Sequence, residues 1–159
     1  MQSGIDHHRK SHPICLGRKV SGVVKEYLGK GVVKGCVTAE VVSIPHSFSF
    51  LGDVEMNLGT LLTGENKGVS IKNKILLFSE SKGSSGGCVV LLTLVKKQLA
   101  PTGIVTIKMP DYNLVEGAIL SNIPFLANVS PTIFETVRTG SQATLSIHRD
   151  SFFDSFVLH

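Results

Sequence analysis

Ser84 and Ser85, preceded by Lys82 and Gly83 and followed by Gly86 and Gly87, set two hydroxyls, an ammonium and three glycines directly ahead of the apolar run CVVLLTLV. That grouping suits three kinds of chemistry. A helix start presents unpaired backbone N–H groups and the positive end of the helix dipole, and glycines there let a phosphate or carboxylate approach closely. A serine held at the same place beside a lysine can take a proton from a substrate, provided the surroundings stabilise negative charge on its oxygen. The third reading is structural: Ser84 or Ser85 caps the helix and the glycines shape a tight turn. The sequence carries neither G-x-G-x-x-G nor G-x-x-x-x-G-K-[ST], which argues against a dinucleotide site and a P-loop.

Other reactive side chains are sparse. Cys15, Cys36 and Cys88 stand far apart with no C-x-x-C pair, and their odd number argues against a disulfide framework, so all three are expected to be reduced. They cannot supply an iron–sulfur or metal site at any familiar spacing, and no metal is assigned, including at Cys15 with His7, His8 and His12. Cys88 falls at a helix start, where a lowered thiol pKa or simple packing are the alternatives. Asp53 and Glu55 lie in turn-rich sequence, where acidic residues are usually solvated, although they could orient a substrate or meet a partner. His46 reads as a strand-end residue rather than a general base.

The chain of 159 residues is long enough for one substantial core. Its 16 basic and 12 acidic residues are scattered except for His7, His8, Arg9 and Lys10, which is not the basic stripe that nucleic-acid binding requires. The longest apolar run falls far short of the ~18 residues of a membrane span, and the opening MQSGIDHHRKSHPICLG lacks the apolar centre of an export signal. A cytoplasmic location is expected. Residues 1–17 read as a flexible basic tail, 18–150 as one domain and 151–159 as a C-terminal tail.

The elements that would position the serines follow from local pattern. VVKGCVTAEVVSI is β-rich, and HSFSF alternates with Phe48 and Phe50 on one face. KILLF is a buried-strand run, CVVLLTLVKKQL a helix, TGIVTI a strand, DYNLVEGAILSN a helix capped by Asp111, and IPFLANV a strand. SPTIFETVRTGS predicts a further helix with Ser130 as N-cap and Pro131 at its first position, and QATLSI closes the series as a strand. The expected fold class is α/β: a β-rich first half followed by βαβαβ, with a partly parallel sheet and helices on one or both faces. The serine–glycine loop then lies beyond the carboxyl end of a parallel strand, where ligands of open α/β sheets bind.

SFLGDVEMNLGTLL, IKNKILLFSESKGSSGG and APTGIVTIKMPDYNLVEGAILSNIPFL occur in that order over about residues 36–127. Together they resemble the swivel domain, or small subunit, of the aconitase X family. The resemblance implies a swivelling β/β/α domain, a large partner subunit whose cysteines hold an iron–sulfur cluster, and a hydro-lyase reaction. It implies that Ser84 is the catalytic proton acceptor, with Lys82, Gly83, Ser85 and Gly86 around the substrate. This chain would bind no cofactor by itself. The reactions implied are dehydration of (R)-5-phosphomevalonate or, as the alternative, of cis-3-hydroxy-L-proline; stand-alone small subunits resemble the former more.

Three places depart from the family pattern. Gly52-Asp53-Val54-Glu55 replaces the usual Gly-Gly-Val-Asp, Leu61-Leu62-Thr63 replaces Ile-Ile-Asp with a following His-Pro, and Cys88 replaces the third serine of the loop. These departures bear on the identity of the substrate more than on the fold, and they keep open, as an alternative to the enzyme, a swivel module that binds a small anion or a protein partner without chemistry.

Overall fold

The computed structural model describes residues 25–148 and 154–159. Nine strands and four short or medium helices follow one another among them. The chain runs β1 (Lys25–Val33), β2 (Gly35–Ile44), α1 (Phe50–Asp53), β3 (Val54–Glu55), β4 (Thr60–Leu61), β5 (Ile75–Phe78) and α2 (Gly86–Lys96). It continues β6 (Gly103–Thr106), α3 (Tyr112–Ser121), β7 (Phe125–Ala127), α4 (Ile133–Thr136), β8 (Gln142–Ile147) and β9 (Asp154–Leu158). Seven strands close a barrel in the order β1-β7-β6-β5-β2-β8-β9, and β3 with β4 forms a separate hairpin. β2, β5, β6 and β7 are successively parallel, whereas β1, β8 and β9 pair antiparallel with their neighbours. No helix among the described residues is long and apolar enough to cross a membrane.

The expected β5-α2-β6-α3-β7 unit is present, and its strands are continuously apolar because both of their faces are buried. Ile75 and Leu77 of β5 join Tyr27, Val41, Val105, Leu126, Leu145 and Phe156 in the barrel interior. Leu76 and Phe78 point the other way, into a second core with Val90, Leu91 and Leu94 of α2 and Leu114 and Ala118 of α3. The alternation of a strand thus feeds two cores at once. The two helices also pack against each other at Gly117, where a Cβ would stand 3.2 Å from Leu91 Cδ2 and 3.4 Å from the Cα of Cys88.

Two expectations need correction. HSFSF is not a strand of the sheet. Phe48 and Phe50 are both buried, packed edge to face at 5.1 Å between ring centres, but the segment makes only one parallel bridge, Phe48 with Ser81, before the chain turns. The helix expected from Ser130 is shortened to Ile133–Thr136 with Thr132 at its N-cap. Ile133 and Val137, four residues apart and fully buried in the barrel interior, need only that one turn, and Val137 is already extended. Within the C-terminal tail expected over 151–159, Asp154–Leu158 form β9, which pairs with both β1 and β8 and buries Phe156 completely, while 151–153 lie outside the described residues. The basic tail expected over residues 1–17 lies outside the described residues.

Candidate functional site

The loop from Ser79 to Ser85 leaves the carboxyl end of β5 and is tied down on both sides. Phe48 N–H donates to the Glu80 carbonyl at 2.9 Å, and Lys82 N–H donates to the Phe48 carbonyl at 3.0 Å. The Ser81 hydroxyl donates to one carboxylate oxygen of Asp111. The other oxygen accepts the Leu114 N–H at 3.1 Å and caps α3, as the sequence predicts. One aspartate therefore caps a helix and anchors the loop.

Asp53 anchors it from the opposite side. Its carboxylate accepts Lys82 Nζ at 2.7 Å, Ser49 N–H at 2.9 Å and the Thr63 hydroxyl at 3.2 Å. Asp53 is 6% exposed, so the expected solvated turn residue is a buried ion-pair partner. Burial alone would raise its pKa. The hydrogen bonds from Lys82 and Ser49, the Lys82 charge and the Thr63 hydroxyl outweigh burial and hold the carboxyl below its ordinary value. Two positions that depart from the family pattern in sequence, Asp53 and Thr63, thus meet in space.

Between these anchors lies a shallow, half-open pocket with a cavity volume of about 20 Å³, room for about one water molecule. Phe48, Phe50, Phe78 and Leu114 form its apolar side, and Ser49, Ser81, Lys82, Ser84 and Asp111 supply its polar atoms. Gly83 has φ +72°, a left-handed conformation that glycine adopts without strain, and this turn brings Ser84 to the pocket. Ser84 is half-buried and its hydroxyl makes no hydrogen bond among the described residues. Ser85 occupies the N-cap position of α2 in αR geometry and makes no side-chain cap bond. The loop serines therefore do not act as ordinary helix caps.

Of the residues singled out in the sequence, Lys82, Gly83 and Ser84 line the pocket, while Ser85 and Gly86 flank it. The Leu51 side chain, half exposed, lies over Gly86: a Cβ there would stand 2.6 Å from Leu51 Cδ2, a contact that a shift of this side chain would relieve. Ser49, Ser81 and Asp111 belong to the pocket and were not picked out as site residues; only the helix-cap signal of Asp111 was legible. Glu55 is occupied within its own turn, accepting the N–H groups of Asn57 and Leu58 at 2.9 and 2.6 Å. His46 is exposed and donates from Nδ1 to the Ser47 carbonyl at 3.0 Å, away from the Ser84 pocket. Cys88 is a free, buried thiol whose pKa is raised by burial and then by the charge of Glu116, so packing explains it better than reactivity. Cys36 is disulfide-bonded, contrary to the expectation of three reduced cysteines.

A mixed barrel flanked by two crossover helices, with a glycine–serine loop over the carboxyl end of a parallel strand, defines the class as a mixed α/β domain with a partly parallel sheet. The chain belongs to the aconitase X swivel domain family, whose model matches residues 26–152. It is 37% identical to the phosphomevalonate dehydratase small subunit of Pyrococcus horikoshii over 68% of this chain and 81% of that protein. To the protein of the same name from Methanosarcina mazei it is 32% identical, over 72% of this chain and 81% of that one. Among solved structures, it superposes on the crystal structure of Thermococcus kodakaraensis aconitase X in its holo form with a TM-score of 0.71 at 29% identity. That match covers 85% of this chain and 98% of the other.

Proposed function

We propose that this chain is the small, swivel subunit of a phosphomevalonate dehydratase, a hydro-lyase converting (R)-5-phosphomevalonate to trans-anhydromevalonate 5-phosphate in the mevalonate pathway of the cytoplasm. The observation that carries the proposal is the Ser84 pocket, with an unbonded hydroxyl at a helix start, in a chain whose relatives bear the dehydratase small-subunit name. Dehydration removes a proton from one carbon while the electrons of that C–H bond form the double bond and the neighbouring C–O bond breaks. The serine first gives up its own proton so that its alkoxide can take the one from carbon, and the departing hydroxide picks up a proton and leaves as water. Ser84 Oγ is the proton acceptor. Negative charge on this oxygen is offset by the positive end of the α2 dipole and by the Lys82 ammonium. With one N–H of that ammonium directed to Asp53, two remain for a phosphate or carboxylate. The apolar side of the pocket lowers the local dielectric once water is excluded.

The family resemblance also implies an iron–sulfur cluster, and the described residues do not fit one. They contain no group of three His, Cys, Asp or Glu side chains placed to hold a metal, Cys88 is buried, and Cys36 is in a disulfide. The cluster is assigned to a larger partner subunit. Exposed Leu51, Val89, Met109 and Tyr112 follow or precede the pocket residues in sequence and support a partner covering this end of the molecule.

Co-expression with the large subunit, iron analysis and a dehydration assay test the proposal. The complex is expected to carry iron and to dehydrate (R)-5-phosphomevalonate, while this chain alone takes up no stoichiometric cluster. Turnover of cis-3-hydroxy-L-proline instead would reassign the substrate. A stable complex inert on both compounds would favour a binding module without chemistry.

A further inference from the structure

We propose that Asp53 is a positioning residue of the site: through its ion pair with Lys82 it fixes the Lys82–Gly87 loop, and with it Ser84, against the pocket. Beyond this ion pair, the Phe48–Ser81 bridge and the Ser81–Asp111 bond at its entry, no side-chain hydrogen bond holds the loop among the described residues. Gly83 adopts φ +72° with nothing within 4 Å of where its Cβ would be, so neighbouring atoms do not confine the turn. Ser84 and Ser85 make no side-chain hydrogen bonds among the described residues. From Lys82 to Gly87 the backbone is held by Lys82 N–H to the Phe48 carbonyl and Gly87 N–H to the Ser84 carbonyl, both at 3.0 Å. The Lys82–Asp53 pair at 2.7 Å is the side-chain tether of this stretch.

The other end of that tether is rigid. Asp53 is buried, and its carboxylate also takes the Ser49 N–H and the Thr63 hydroxyl. Its backbone carbonyl accepts Leu62 N–H at 2.9 Å, and its own N–H donates to the Ser49 carbonyl at 3.2 Å. Asp53 thus joins the Phe50–Asp53 turn, the strand-exit segment at Leu62 and Thr63, and the Ser84 loop at one point. An exposed lysine paired with an exposed acid would contribute little, but a fixed, desolvated carboxylate gives the lysine one preferred position. A small displacement of a reacting group costs a large factor in rate, so the placement bears directly on Ser84.

The activity part of this inference rests on the dehydratase reading, and the loop-ordering part does not. Amide hydrogen exchange on the full chain is measured at Lys82 and Gly87, with Leu76 and Leu77 in β5 reporting global stability. Asp53→Asn and Lys82→Met are each expected to speed exchange at Lys82 and Gly87 by at least about 10-fold relative to β5, as a local opening would. The double variant should go no further than the larger single effect, and Lys82→Arg should restore most of the protection. In the assembled enzyme both single variants should lower kcat more than they raise KM. If Asp53→Asn does not fold, Lys82→Met decides alone by the same two amides. Unchanged exchange at Lys82 and Gly87 in Lys82→Met, or additive effects in the double variant, would overturn the proposal even where no dehydratase activity is found.

Discussion

Asp53 is the residue where sequence position and physical role differ most. In the chain it sits among turn formers, yet folding buries it and gives it three donors, one of them a charged lysine. Its folded-state pKa is lowered from the ordinary 3.8. The stability it contributes is therefore fully present above that value and is lost as pH falls through the lower folded-state pKa, below which both states are equally protonated. Urea midpoints measured from pH 6 to pH 2 should fall across that window in the wild-type chain. Asp53→Asn should start from a lower midpoint at neutral pH and lack this component of the fall; parallel curves would show that the carboxylate does not contribute. The glycine–serine cluster marked the loop as a candidate but left open a helix cap, an anion cradle and a reacting hydroxyl, and it was the family resemblance that singled out Ser84. The identity of its surroundings had no sequence signal, because Ser49, Ser81 and Asp111 come from segments 30 or more residues apart in part and meet only through the Phe48–Ser81 bridge and the α3 cap.

Among the elements, the apolar runs that become β5, β6 and β7, and the α2 and α3 segments between them, were legible because burial on both strand faces leaves uninterrupted Ile, Leu, Val and Phe. HSFSF misled for the same physical reason that it alternates. Phe48 and Phe50 seek the core, but no neighbouring strand is available beyond one bridge. β9 was hidden because Phe156 is its single fully buried side chain, and the surrounding Asp, Ser and His residues resemble a solvated terminus. The α3 cap gives a direct test at this scale. Asp111→Ala removes both the cap and the Ser81 anchor and should cost about 1 kcal/mol in urea unfolding, within the ~0.5–2 kcal/mol usual for N-caps. Asp111→Asn keeps a good capping group and should recover most of that stability. Equal losses in the two variants would mean that the negative charge of Asp111, and not its capping hydrogen bond, is what stabilises α3.

At the scale of the molecule, closure of the barrel depends on β9. It pairs with β1 from Lys25↔Leu158 to Gly29↔Asp154 and with β8 from Ala143↔Leu158 to Ser146↔Ser155, and Asp154 accepts the N–H groups of Gly31 and His148. Truncation after residue 153 would open two strand edges and remove a fully buried phenylalanine, whose loss alone costs about 3–5 kcal/mol. With total domain stability near ~5–15 kcal/mol, the truncated chain should lose its cooperative urea transition. A sharp transition at an unchanged midpoint would show that β9 is dispensable. The barrel matters here because it holds the β5 end and the α2 start in fixed relation, and the Ser84 loop spans that junction. The most direct measurement is therefore turnover of (R)-5-phosphomevalonate by the complex assembled with wild-type chain and with Ser84→Ala. The substitution should leave complex formation and melting temperature intact and cut kcat by at least about 100-fold, the lower range for a positioned proton acceptor. Near-normal turnover in an intact complex would place the base elsewhere and contradict the account.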